Sequence, residues 1–254
     1  MPQSTAFRLG RILLGPVALA LGILGWHLLW RSNAVPAYML PAPSAVGREW
    51  LRLWHNGIIW RDLRATLREA LLGFGLAFLV GVGLGFVLAR SRALGGVIAP
   101  YVAASQAMPV VAFAPLLVVW FGLGLLPKVI VCALIVFFPI LVNTEAGLRG
   151  VDRDLIEASW TMGGSSWQTL RHVEIPLALR PFLGGVKMGL TLAMTGAVVG
   201  EFVAASEGLG YLMNYGRTAY NAPMVFAASL TMAAVAILGY AAISLLERLL
   251  ITWE

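Results

Sequence analysis

Few side chains in this sequence stand where bond-making chemistry would need them. His27, His55 and His172 lie on different segments, so none shares an element with a second histidine. Lys128 follows Pro127 and Lys187 follows Val186. With no lysine after glycine there is no Walker A loop to cradle a nucleotide's phosphates. Cys132 is the one cysteine and sits inside an apolar run. It has no partner for an intrachain disulfide and no metal-ligand spacing around it, and a small core residue is the plain reading. No catalytic residue and no metal site is therefore expected.

The polar residues that do form a pattern lie between Asn143 and Pro181. Asp154 stands three residues before Glu157, an Asp version of the capping box, and predicts a short helix over 155–162. Gly163 and Gly164 then end it, because a left-handed C-terminal cap favours glycine. Ser165 stands three residues before Gln168, a second capping box. It predicts a second short helix over 166–173 that stops before Pro176. Two short helices joined by a glycine elbow do mechanical chemistry: they offer a docking surface. An ordered loop without a partner is the plainer alternative.

Composition says what must hold that elbow. The 254 residues are 59% hydrophobic and 12% charged, with mean hydropathy +0.84. Soluble domains carry about 25% charged residues, so too little polar surface remains to cover a water-facing globule. The apolar residues fall in long runs, the membrane pattern. The net charge of +6 comes from residues scattered between those runs. It forms no basic stripe, so no nucleic-acid partner is expected.

About six transmembrane helices are predicted. The first covers 12–30 and is read as a retained helix rather than a signal peptide, since Trp26, Trp30 and Arg31 crowd the cleavage region. Ser44 is expected to cap a short helix with Val46, Trp50 and Trp54 on one face. That helix either lies on the membrane surface or packs as a lid. Asp62 is expected to cap the second long helix, whose spanning part is 70–89 and ends at Arg90 and Arg92. Gly81 and Gly85 form a small-xxx-small pair on it. Residues 92–121 read as one helix kinked at Pro100, Pro109 and Pro115, followed by a turn at Gly122 and Gly124. That makes 108–115 either a pathway lining or a packing kink. Further spans are read at 128–142, 182–204 and 223–246, and the fifth carries Gly185, Gly189, Gly196 and Gly200. Arg and Lys divide nearly evenly between the two sides, so charge alone leaves orientation open.

Glu157-Ala158-Ser159, then Gly163, then Val173-Glu174-Ile175-Pro176 resembles the EAA motif of ABC importer permeases. Ser159 stands where that pattern has a second Ala, and Ile175 where it has Leu. Met39-Leu40-Pro41-Ala42-Pro43-Ser44, the stretch 116–122, Phe137-Phe138-Pro139 with Asn143-Thr144, and Gly208-Leu209-Gly210-Tyr211 look like the sulfonate/nitrate/taurine branch. The resemblance covers about 39 to the C-terminal end.

It implies an all-α, polytopic type I (MetI-like) permease fold, with an N-terminal helical region at 1–38 and a core permease domain at 39–254. The implied partners are a second copy of the chain, two cytoplasmic ABC ATPase subunits, an external solute-binding protein and the lipid bilayer. ATP and Mg would be bound by the ATPase, with no cofactor on this chain. The implied setting is the bacterial inner membrane with both termini cytoplasmic. Asp154, Glu157, Ala158, Ser159, Gly163, Gly164 and Pro176 would form the ATPase-docking coupling segment within 143–181. Met108, Pro109, Phe113, Thr191, Met194 and Thr195 are the pathway candidates, with Lys187 and Glu201 flanking the fifth span and facing protein or water. A channel or ion-driven transporter is the alternative, and it would need coupling charges inside spans or inverted repeats. A membrane enzyme would need clustered His, Asp or Glu at depth. The branch implies a substrate of the sulfonate/nitrate/taurine or vitamin-precursor class, and the absence of a basic group at mid-membrane leans toward a less charged solute.

Overall fold

A computed structural model describes residues 5–251. The domain limits Met1 and Glu254 lie outside that range. Helices α1 (Thr5–Arg31), α2 (Pro43–His55), α3 (Ile58–Arg90), α4 (Arg92–Gln106), α5 (Val110–Phe121) and α6 (Leu125–Arg149) come first. Then follow α7 (Arg153–Thr161), α8 (Ser166–Thr169), a π turn at Leu170–Glu174, α9 (Ile175–Ala204), α10 (Leu209–Thr218) and α11 (Ala222–Leu250). The described residues contain no strand, so the fold is all-α. Four stretches are long and apolar enough to cross a bilayer: α3, α6, Ser166–Val203 and α11. The α4–α5 pair makes a fifth if it counts as one broken span, and α1 covers the first apolar run.

The chain divides into two compact units. One comprises the chain up to Ile59 with Leu212–Leu230. In it, Trp26 donates its indole N–H to the Pro41 carbonyl (3.0 Å) and stacks on Phe226 with ring centres 5.4 Å apart. The α2 helix buries Val46 and Leu53 and stacks Trp50 on Trp54. Ser44 does not cap it. Pro43 takes the first helical position instead, where its missing N–H costs nothing and its fixed φ suits the helix.

The other unit comprises Trp60–Tyr211 with the chain from Thr231 onward. Its core surrounds α6, with Ala70 and Ala77 of α3 and Ala193, Met194 and Ala197 of α9 closing on Cys132, Val136 and Ile140. Glycines set how closely these helices approach. A Cβ at Gly196 would lie 2.8 Å from the Cys132 Cα, and one at Gly85 would lie 2.8 Å from the Leu141 carbonyl oxygen. Packing of this kind, backbone against backbone, holds helices together where no hydrophobic force acts between them.

Other helix ends also differ from the sequence expectation. The α3 helix begins at Ile58, directly after the left-handed Gly57 (φ 71°). Asp62 is therefore inside the helix, fully buried and accepting from Arg61 Nε at 2.8 Å. Residues 92–121 are two helices meeting at 88°, not one kinked helix. Pro109 removes an N–H and its ring forces the preceding residue out of helical geometry, and it sits extended as the first residue before α5. Pro176 does not stop the helix before it. Residue 175 donates to the Leu170 carbonyl across the π turn, and the chain continues through Pro176 into α9. The wider turn admits a proline without leaving a broken end.

Candidate functional site

The elbow is built from the residues upward. Asp152, not Asp154, caps α7: its Oδ1 accepts from the Asp154 N–H at 3.0 Å. Asp154 stands in the first turn, where the helix dipole favours an acid. At the other end Gly163 has φ 84°. Its N–H reaches the Trp160 carbonyl and the Gly164 N–H reaches the Ser159 carbonyl, both at 2.9 Å, the paired bonds of a Schellman turn. The predicted second capping box is complete. Gln168 N donates to Ser165 Oγ (3.3 Å), and Ser165 N donates to Gln168 Oε1 (2.8 Å).

Two polar contacts fix the elbow's angle. The Ser159 and Thr169 hydroxyls pair at 2.9 Å, joining α7 to α8. Glu174, buried in the π turn, holds Arg90 at the end of α3 through two contacts of 2.7 and 3.1 Å. The elbow thus runs without a break into α9 and is braced on α3. No α7 residue is buried, yet Leu155, Trp160, Met162 and Trp167 all expose large apolar surface, Met162 at 88%. An open concavity of 450 Å³ lies on the inside of the elbow, walled by Leu155, Ala158, Met162, Gly163, Gln168 and His172. Glu157 and Asp154 are exposed on the same helix. The elbow is thus a capped, amphipathic knob that exposes apolar side chains beside acidic ones.

At the far end of α9 lies a second polar site that the sequence reading missed in part. Glu201, 1% exposed, accepts from Thr66 Oγ1 at 2.6 Å and from the Gly210 N–H. Beside it the buried Lys128 pairs with Glu69, which is itself 2% exposed. Lys128 opens the span read at 128–142, and Glu69 stands just before the one read at 70–89. Their pairing across 59 positions leaves no local signal in the sequence. Lys187 likewise faces protein: it pairs with Glu247 and sits 5.5 Å from the centre of the Tyr240 ring.

The pathway candidates scatter. Met108 and Pro109 stand at the α4–α5 break, Met108 56% exposed, and Phe113 is on the first turns of α5. Thr191 and Thr195, one helical turn apart on α9, are both exposed. Met194 is not on that face and packs in the core beside Ala193 and Ala197.

Comparison with known proteins agrees with this architecture. Residues 81–252 match the family described as binding-protein-dependent transport system inner membrane component. The riboflavin transport system permease protein of Chloroflexus aurantiacus is 48% identical over 240 residues, covering 94% of this chain and 89% of that protein. The formylaminopyrimidine transport permease protein of Halalkalibacterium halodurans is 36% identical, covering 90% of this chain and 91% of that protein. The taurine transport system permease protein of Escherichia coli is 27% identical, covering 95% and 89%. In fold, the chain superposes on an inward-facing form of the MetNI methionine ABC transporter with a TM-score of 0.65 at 23% identity, covering 76% of this chain and 94% of that one.

Proposed function

The chain belongs to the binding-protein-dependent transport system inner membrane components, and from that premise we propose that its elbow receives the stroke of a separate ATPase. It is a permease subunit of an ABC importer of the bacterial inner membrane, and not an enzyme. The elbow supports the coupling role: a capped, braced and apolar knob at one end of a membrane-length helix.

In this reading α7 seats in a groove of the ATPase through Glu157, Ala158 and Gly163. Nucleotide binding moves the knob, and α9 moves with it because the π turn leaves no hinge between them. Alternating access is then a two-state equilibrium, biased by ATP and Mg on the ATPase at one face and by the solute-binding protein at the other. A second copy of the chain completes the pathway. The elbow and both termini face the cytoplasm. Thr191 and Thr195 face the path or the second copy.

The substrate we propose is a weakly charged nitrogen heterocycle of the riboflavin or pyrimidine kind. The names of the 48% and 36% identical relatives support it. So does the pairing of Lys128 with Glu69 and of Lys187 with Glu247, which commits both lysines to carboxylates rather than to an anionic solute. Co-expression with the proposed ATPase and solute-binding protein tests the whole reading. ATP-dependent uptake of riboflavin or a formylaminopyrimidine into proteoliposomes is expected. An ATPase that does not co-purify would overturn the coupling role, and uptake of taurine alone would overturn the substrate class.

A further inference from the structure

The glycine turn before α10 is shaped around one carboxylate. Gly208 has φ 118°, and a Cβ there would lie 2.3 Å from the Glu201 carboxyl carbon. A Cβ at Gly210 would lie 2.7 Å from Glu201 Oε2. The next two amides are both spoken for: Leu209 N donates to Thr66 Oγ1 at 2.8 Å and Gly210 N donates to Glu201. Thr66 in turn donates to Glu201 Oε1. One carboxylate at the end of α9 therefore grips α3 and the start of α10 together.

The neighbouring groups make that grip stiff. Gly200, the residue before Glu201, brings α9 against the backbone of Lys128, whose Cα would be 3.0 Å from an added Cβ. Lys128 is held by Glu69 of α3, one helical turn beyond Thr66. Hydrogen bonds in a buried site are directional, and leaving one unmade is costly. The turn cannot shift alone without stranding the Glu201 carboxylate.

Ile175 at the elbow and Glu201 at this grip lie 26 residues apart on one continuous helix, about 39 Å along its axis. We propose that Glu201 is a positioning residue for transport: it carries the displacement of the elbow to the 205–210 turn, so that the far end of the pathway opens or closes with the ATPase. The inference rests on the docking reading above, and it adds the point at which the motion is delivered.

The test uses the full transporter with its ATPase and binding protein in proteoliposomes. Ser206→Cys places a thiol on the exposed part of the turn, and the native Cys132 is buried and stays silent. Labelling by a membrane-impermeant maleimide is compared between the nucleotide-free and vanadate-trapped states. In the otherwise unchanged chain the labelling rate is expected to differ about fivefold or more between states. Glu201→Ala and Gly208→Ala are expected to abolish that difference and cut transport about tenfold while the ATPase still co-purifies and hydrolyses ATP. Glu201→Gln, whose amide oxygen can still accept from Gly210, is expected to restore part of both. Equal labelling in the two states without these substitutions would overturn the proposal, as would Glu201→Ala transporting normally. Loss of the ATPase from the Glu201→Ala complex would also overturn it, since Glu201 would then serve the fold alone. Failure of the ATPase to bind the unsubstituted chain would instead sink the docking reading.

Discussion

Arg90 and Glu174 meet as a two-pronged ion pair, 2.7 and 3.1 Å, at the point where the elbow turns into α9. Glu174 is buried and Arg90 is 44% exposed while also lying over the Phe86 ring. Removing the arginine leaves a buried carboxylate without its partner. Because Arg90 is partly hydrated, Arg90→Ala is expected to cost about 1–3 kcal/mol rather than the full value for a buried pair. Thermal unfolding of the detergent-purified chain measures it. Glu174→Gln, which keeps the shape and loses the charge, is expected to cost less.

The Gly163 backbone supplies a second prediction. At φ 84° a side chain is strained, by about 1–2 kcal/mol for an ordinary residue. Gly163→Val is expected to undo the turn, re-aim α7 and lose the co-purifying ATPase, with far-UV helicity nearly unchanged. Ser159→Ala tests the neighbouring brace and is expected to be mild. The Thr169 hydroxyl keeps its bond to the Ser165 carbonyl (3.1 Å), so only about 1 kcal/mol is lost.

The elbow was largely legible because its signals are local. Gly163, Ser165 and Gln168 act on neighbours within a few positions, and the structure has each where spacing put it. The cap lies two residues earlier, at Asp152, because an aspartate caps through its own carboxylate even without a Glu or Gln three positions on. Pro176 misled for a different reason. A proline forbids a regular turn, but the π turn that accommodates it has no sequence signature of its own. Gly185, Gly189, Gly196 and Gly200 of α9 carry no sign of their partner in the sequence; it is α6 between Lys128 and Asn143. Glu69 and Lys128 were hidden because their pairing depends on where α3 and α6 meet.

The glycines of α3 give a third prediction, by contrast within one helix. A Cβ at Gly85 would press on the Leu141 carbonyl oxygen at 2.8 Å, and backbone cannot move aside. Gly85→Val is expected to destabilise by about 1–3 kcal/mol or to prevent accumulation in the membrane. Gly83, two residues earlier on α3, has nothing within 4 Å of such a Cβ. Gly83→Ala is expected to be neutral or to stabilise by about 0.5–1 kcal/mol through helix propensity. Expression level and detergent melting temperature separate the two. Equal behaviour would mean that α3 does not pack on α6 through this face.

The last prediction concerns Trp160 and Met162, which are 55% and 88% exposed at the tip of the elbow. A side chain that touches little of its own chain contributes little to that chain's stability, so Trp160→Ala and Met162→Ala should each change stability by less than about 0.5 kcal/mol. At an interface the same residues are the kind that carry binding energy, and truncating a central one costs about 2 kcal/mol or more, near thirtyfold in affinity. The expected result is an unchanged melting temperature together with a sharp loss of ATPase retained on affinity-purified permease, most of all for Trp160→Ala. Glu157→Lys should act in the same direction, through reversed charge on an exposed helix face rather than through lost contact area. If all three variants retain the ATPase fully, the apolar tip is not the docking surface, and the stroke must enter the permease elsewhere.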